Sequence, residues 1–220
     1  MMNKSNDRSE FFMKDKFINK QQVLFDTAAA LFAKKGYLGT SISDLARAME
    51  LQKGSLYHYF KSKEELLFQL LIQYISSALV EIEKICALEI PATEKLNRFM
   101  LFYSGFYAED RDRLILLVNE IDKLSPPYRD KVVAKERCYY QALTGIFRQL
   151  QEAGIMKPLP PAVAAYAFFG MVHYTRNWFQ PNGKISAAEL GEMFLEIFTE
   201  GVFIQDVSRK AGGGVDARKN

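Results

Sequence analysis

Apolar residues in this 220-residue chain recur three and four positions apart almost throughout, and that spacing limits its folding more than any other feature. Alternating runs of β-branched residues, the mark of half-buried strands, are missing. Breaks fall at Gly36, at Pro91, at Pro126 and Pro127, at Gly154 with Pro158, Pro160 and Pro161, and at Pro181 with Gly183. Between them the spacing predicts about nine helices, near residues 20–35, 42–49, 53–59, 63–88, 93–107, 111–124, 128–153, 161–179 and 187–204. The expected fold class is all-α.

Composition narrows the functions open to such a chain. With 49% hydrophobic and 25% charged residues it has the make-up of a globule. The longest clean apolar run, Ala162 to Val172, falls short of the ~18 residues that span a bilayer, so no membrane partner is expected. No charged stretch leads into an apolar segment and a small-residue cleavage site near residue 1, which points to the cytoplasm. Cys86 and Cys138 suit a reducing compartment, and His58 and His173 are the only histidines. Without CxxC or HExxH spacing, neither a metal site nor a cofactor is expected. A GxSxG elbow and a nucleotide loop are also missing, which argues against an enzyme. Gly212, Gly213 and Gly214 follow no strand and open no helix, so they read as part of a flexible tail over 207–220. Residues 1–17 read as a flexible basic arm, and Met13 offers an alternative start. Lys14, Lys16 and Lys20 are either solvated there or reach a minor groove.

Net charge is +3, unevenly spread: residues 1–64 carry 11 basic and 7 acidic side chains, residues 65–220 carry 18 and 19. All the excess positive charge lies in the first third, a cue for a polyanionic partner. Within that third, residues 41–65 concentrate the signal. Ser41 with Asp44 makes a capping-box start, and Ile42, Leu45, Ala46 and Met49 form one apolar face. So short a helix must dock on another. Leu51, Leu56 and Phe60 supply the apolar face of the next, and the pair reads as a helix-turn-helix. Its second helix turns Lys53, Ser55, Tyr57 and His58 outward, all hydrogen-bond donors, while Gly54 allows close approach. Ser62 and Glu65 form another capping box, with Lys61 and Lys63 beside it. Donors and lysines in this layout suit a DNA backbone, and Lys53 suits the O6/N7 edge of guanine. Taken alone, Tyr57 and His58 are an ordinary exposed aromatic pair; the surrounding pattern decides for DNA.

The segment GTSISDLARAMELQKGSLYHYFKSKEELL resembles the DNA-binding region of the TetR family of bacterial transcriptional regulators, and the likeness covers about residues 20–70. The resemblance implies a three-helix DNA-binding domain, here 18–64, whose helix at 53–59 enters the major groove. It implies phosphate contacts from Tyr57 and Lys63 and groove-facing roles for Lys53, Gly54, Ser55 and His58. Thr40, Ser41 and Lys61 complete the candidate DNA-binding set. Two residues depart from the family pattern. Glu50 stands where glycine is usual, implying a left-handed non-glycine residue at a cost of about 1 kcal/mol. Gln52 replaces the usual Ser or Thr cap.

From 65 to 206 the resemblance implies a helical effector-binding and dimerisation domain. The stretch Asn177, Trp178, Phe179, x, Pro181, x, Gly183, followed by Ser186, looks like family members that sense acyl-CoA thioesters. Helix 161–179 is apolar nearly all round, and helix 187–204 repeats apolar residues at i, i+3, i+4 and i+7, so each needs cover on two sides. Val163, Tyr166, Gly170, Leu190, Phe194 and Phe198 are the candidate dimer-interface residues. A homodimer would space two recognition helices about one DNA turn (~34–36 Å) apart on a near-palindromic operator. Aromatic residues interleaved with polar ones mark a candidate effector site: Phe102, Tyr103, Phe106, Asn119, Glu120, Arg137, Tyr140, His173, Asn177 and Trp178. Glu120 suits a cation, whereas Arg137 and Arg176 suit a CoA phosphate or a carboxylate. The resulting expectation is a repressor of double-stranded operator DNA, released by a small hydrophobic effector such as an acyl-CoA. The alternatives are a sensor of drug-like or cationic molecules, and a helical adaptor that does not bind DNA.

Overall fold

The computed structural model describes residues 4–202, with side chains from Lys20 onward. Nine α-helices and no strand occur among the described residues, the all-α class that the spacing predicts. The first is α1 (Lys4–Lys35), which is helical from well before the expected start near residue 20. The reason lies in the sequence: no glycine or proline interrupts residues 4–35. The backbone expected as a loose arm over 1–17 is therefore helical from Lys4, while the tail over 207–220 lies outside the described residues. Gly36 then ends α1 in the left-handed region, φ 77°, where a side chain would be strained.

Two short elements follow. Helix α2 (Ile42–Ala48) starts on a full capping box: the Asp44 N–H donates to Ser41 Oγ at 3.1 Å, and the Ser41 N–H to Asp44 Oδ2 at 2.9 Å. Helix α3 (Lys53–Leu56) is a single turn, shorter than the 53–59 expected. Gln52 gives its start no side-chain cap, Gly54 is a weak helix former, and Tyr57 to Tyr59 continue only as a hydrogen-bonded turn. Between α2 and α3 the chain turns at Glu50, φ 54°, the sole non-glycine residue with positive φ among those described. Leu45, Ala46, Leu56 and Phe60 are buried with Leu24, Phe25, Ala28 and Phe32 of α1, closing a small core under the turn.

Helix α4 (Lys63–Ala87) leaves this unit and runs on for 25 residues. By length and composition alone it could cross a membrane, a signal that reading the longest apolar run missed. Leu66, Leu70, Leu71, Ile75, Ala78 and Ile82 are instead fully buried in the protein, as in the central helix of a core. Around it stand α5 (Ala92–Glu109), α6 (Arg111–Asn119), α7 (Pro126–Glu152), α8 (Pro161–Tyr174) and α9 (Ala187–Val202). Helix α7 packs on α4, α5 on α9 and α7, α8 on α7, and α6 reaches back to α1. Two expected helices end early: the sixth breaks into a 3₁₀ turn at Ile121–Lys123, and the eighth into another at Thr175–Asn177. Aromatic rings fill the centre, with Phe99, Tyr103, Phe147 and Phe168 all essentially inaccessible. Each such side chain stabilises the fold by roughly 1.5–3 kcal/mol through its burial.

Candidate nucleic-acid interface and effector cavity

The α2–α3 unit turns a run of polar groups to solvent. Ser41, Lys53, Gly54, His58 and Lys61 are exposed, Ser55 is half-buried, and Tyr57 is 47% exposed, its ring tilted against buried Phe60. Leu56 and Phe60 anchor the segment, which fixes the direction in which its neighbours point. Lys20, Ser55, His58 and Tyr59 share a concave pocket beside it. Two members of the expected DNA-binding set are placed differently. Thr40 is 1% exposed and donates its hydroxyl to the Gly36 carbonyl at 3.0 Å, so it braces the turn after α1. The Lys63 ammonium folds back 4.2 Å over the Tyr37 ring, a favourable cation–π position. Burial holds its pKa below the usual lysine value, and Glu120 opposes that shift.

Glu120 carries the largest correction to the expected effector site. Its Oε1 accepts the Tyr37 N–H at 3.2 Å, so it joins the end of α6 to the loop after α1. Asn119 beside it is exposed. Both belong to the expected effector set; they lie instead at the joint between the helix-turn-helix and the larger helical body, because α6 packs on α1. Other polar links reinforce the joint. Arg113 bridges Asp26 of α1 at 2.7 Å and Asp110 at 2.6 Å, and the Ser125 N–H donates to Glu64 at 2.6 Å.

A cavity of about 720 Å³ opens between α5, α6, α7 and α8. Tyr103, Arg137, Tyr140 and His173 of the expected set line it. Phe102 and Phe106 do not: they sit on another face of α5, where Phe106 stacks on Tyr74 at 4.8 Å and Phe102 borders a separate groove. Asn177 and Trp178 also lie outside it, since the 3₁₀ turn ends α8 before them; Asn177 donates to the Tyr174 carbonyl. Arg176 donates to the His173 carbonyl at 2.8 Å and does not reach the cavity wall.

Sequence reasoning missed Tyr107, Val133, Glu136, Tyr139 and Phe169 in this wall. A signal existed: Val133, Glu136, Arg137, Tyr140 and Gln141 follow the i, i+3, i+4, i+7, i+8 spacing of one helix face, with polar residues set into it. The wall is largely aromatic, and its polar groups are few. Tyr103 Oη and His173 Nε2 share a hydrogen bond at 2.9 Å, and Tyr139 donates to the Ile75 carbonyl of α4. Burial pushes the His173 imidazole down to about 4 and the Glu136 carboxyl up to about 7. Tyr107 Oη is shut off from solvent beside the Tyr103 and Tyr139 hydroxyls, and burial holds its pKa well above the usual tyrosine value.

The candidate dimer face divides in the same way. Val163, Tyr166 and Gly170 are exposed along α8, but Tyr166 and Gly170 border the cavity, the Tyr166 ring 5.0 Å from that of Tyr140. Leu190, Phe194 and Phe198 are instead interior, packed toward α5, α7 and α8; Phe198, for example, lies 5.8 Å from both Phe147 and Phe168. The apolar residues that α9 leaves exposed are Met193 and Ile197, on its opposite side.

A helix-turn-helix mounted on a larger helical body that encloses a ligand-sized cavity defines a ligand-responsive, DNA-binding transcriptional regulator. Two family models agree with this class: "Bacterial regulatory proteins, tetR family" matches residues 24–70, and "Tetracyclin repressor-like, C-terminal domain" matches residues 89–202. The chain belongs to the TetR family. It is 27% identical to the HTH-type transcriptional repressor KstR2 of Mycolicibacterium smegmatis, over 84% of this chain and 91% of that protein. The crystal structure of the TetR-family regulator PfmR from Thermus thermophilus is 31% identical, with a TM-score of 0.74 over 80% of this chain and 97% of that one. That of AibR in complex with isovaleryl coenzyme A and operator DNA is 26% identical, with a TM-score of 0.71 over 81% and 97%.

Proposed function

We infer that the protein is a cytoplasmic homodimeric repressor that holds a near-palindromic operator and leaves it when a hydrophobic effector fills the cavity between α5 and α8. The observation that carries this reading is the row of outward donors, Lys53, Ser55, Tyr57 and His58, fixed by the buried anchors Leu56 and Phe60. In a helix-turn-helix, the start of the second helix reads base edges, which gives that part to Lys53, Gly54 and Ser55. Ser41, Tyr57 and Lys61 then flank it as backbone contacts, and His58 faces the groove beside Ser55. Val163 on α8, outside the cavity wall, and Met193 and Ile197 on α9 would pair across a two-fold axis as part of a four-helix interface.

For the effector, the finer reading is an acyl-CoA thioester. The aromatic cavity suits an acyl chain, Arg137 is exposed at its edge to meet a phosphate, and AibR is related to this chain by both sequence and fold. A drug-like cation is the second reading, favoured by the Glu136 carboxyl among aromatic rings.

The test is operator binding by fluorescence anisotropy, on a duplex selected from a random pool with the full-length protein. Lys53→Ala and Tyr57→Ala should each weaken binding about tenfold or more while leaving the thermal midpoint within about 2 °C of wild type. Affinity should also fall steeply with salt, with a log–log slope that Lys61→Ala, at a backbone contact, makes shallower by about one. Selection of no duplex at low salt, or unchanged affinity in both variants, overturns the reading.

A further inference from the structure

The cavity reaches solvent between α7 and α8, where Arg137, Gln141, Tyr166 and Gly170 are exposed members of its wall. These two helices form an antiparallel hairpin about residues 153–160, and the Tyr140 and Tyr166 rings lie 5.0 Å apart across it. One turn further along, the same register sets Arg137 of α7 opposite Gly170 of α8. Gly170 therefore leaves a gap in the α8 side of the rim. A Cβ there would meet no atom within 4 Å, and its backbone lies outside the left-handed region, so neither packing nor conformation demands a glycine. A glycine inside a helix nonetheless costs stability relative to alanine. Gly105 and Gly145 are open helical glycines too, but neither borders this cavity. Charge indicates what the gap admits. Aromatic rings dominate the interior, whereas Arg137, the single Lys or Arg of the wall among the described residues, stands exposed at the rim. A ligand that uses both must keep an apolar body inside and an anionic head outside, joined by a segment narrow enough to cross beside Gly170.

We propose that the gap at Gly170 is the passage by which the effector's arm leaves the cavity. Gly170 and the Tyr140–Tyr166 pair thereby select ligands with an apolar body, a thin tether and a phosphate head over compact ones that lie wholly inside. This rests on the reading of the cavity as the effector site. Gly170 acts by the space it leaves open: a bulky side chain there would project into the path of the tether, which the stacked tyrosines bound on the other side. Arg137, across the slot, meets the head as it emerges.

The experiment is calorimetric titration of the full-length protein with octanoyl-CoA, which has all three parts, and methyl octanoate, which has the body alone. Wild type should bind octanoyl-CoA about tenfold or more tightly than the ester, the worth of one charged hydrogen bond. Gly170→Leu should weaken octanoyl-CoA about tenfold or more by steric exclusion, and leave methyl octanoate within about twofold. Arg137→Ala should likewise cost only octanoyl-CoA, by about tenfold. Gly170→Ala should raise the thermal midpoint by about 2 °C, since a methyl group there meets nothing. Gly170→Met, unbranched, repeats the test should leucine prevent folding. Octanoyl-CoA binding no tighter than the ester, equal loss of both probes in Gly170→Leu, or no loss of octanoyl-CoA each overturn the proposal. Conversion of that variant to a monomer in sedimentation overturns it too, because the glycine would then serve a contact between subunits. The underlying reading fails separately: if neither probe binds the wild type, or if Val133→Phe, which adds bulk inside, leaves both affinities unchanged, the cavity is not the site. If Val133→Phe weakens both while Gly170→Leu weakens neither, the cavity stands and only the passage falls.

Discussion

At the scale of single residues, the structure shows where this chain tolerates strain and unusual protonation. Glu50 occupies the left-handed region at φ 54°, which costs an L-residue with a Cβ about 1 kcal/mol. Glu50→Gly should therefore raise stability by about 0.5–1 kcal/mol, seen as a higher urea midpoint at unchanged m-value. The turn was legible from the sequence because one position departs from a long pattern. His173 was legible only as an aromatic-face histidine; its surroundings depend on three other helices. Burial lowers it from 6.5 to about 4. The unfolded chain thus binds the extra proton first, and the stability that neutral His173 supplies is complete above pH 6.5 and lost as pH falls toward 4. His173→Gln should remove up to about 3 kcal/mol of that acid-side loss, measured as the pH dependence of the urea midpoint relative to wild type. Glu136 acts oppositely: its contribution is complete below pH 4.5 and fades as pH rises through about 7.

Among the elements, α4 and α6 connect the two functional regions. Tyr139 lines the cavity and donates to the Ile75 carbonyl on α4, while Glu120 at the end of α6 holds the Tyr37 N–H beside Lys63. An effector can move the operator-facing helices only by favouring one arrangement of such links over another. Glu120→Gln keeps the size and an acceptor but removes the charge facing Lys63. It should bring the ratio of operator affinities without and with octanoyl-CoA several-fold closer to one, measured by anisotropy with and without the probe. The sequence could place Glu120 only by its aromatic and polar neighbours, which suggested a ligand. Its real position follows from α6 stopping at Asn119 and packing on α1, a long-range contact that no local spacing encodes. Helix starts were easier to read, because Ser41 and Ser62 carry their capping partners three residues away.

For the molecule as a whole, the exposed stripes on α8 and α9 predict how it assembles. Ile197 is 62% exposed on a face that a lone subunit leaves uncovered, so Ile197→Glu should shift the protein from dimer to monomer in sedimentation and weaken operator binding in parallel. Periodicity correctly marks α9 as two-sided. It does not say which side is interior, since Phe194 and Phe198 look as suited to a partner as Met193 and Ile197 do; packing against α5 decides. The unbroken length of α4 has a geometric result. At about 1.5 Å per residue its 25 residues make a rod of some 37 Å, rooted in the core and ending at the duplex-facing unit. A tilt of about 5° about the rooted end carries the tip some 3 Å, close to the ~3.4 Å step between stacked base pairs. Mirrored in a second subunit, so slight a pivot would put both reading heads out of phase with the groove without melting a single turn.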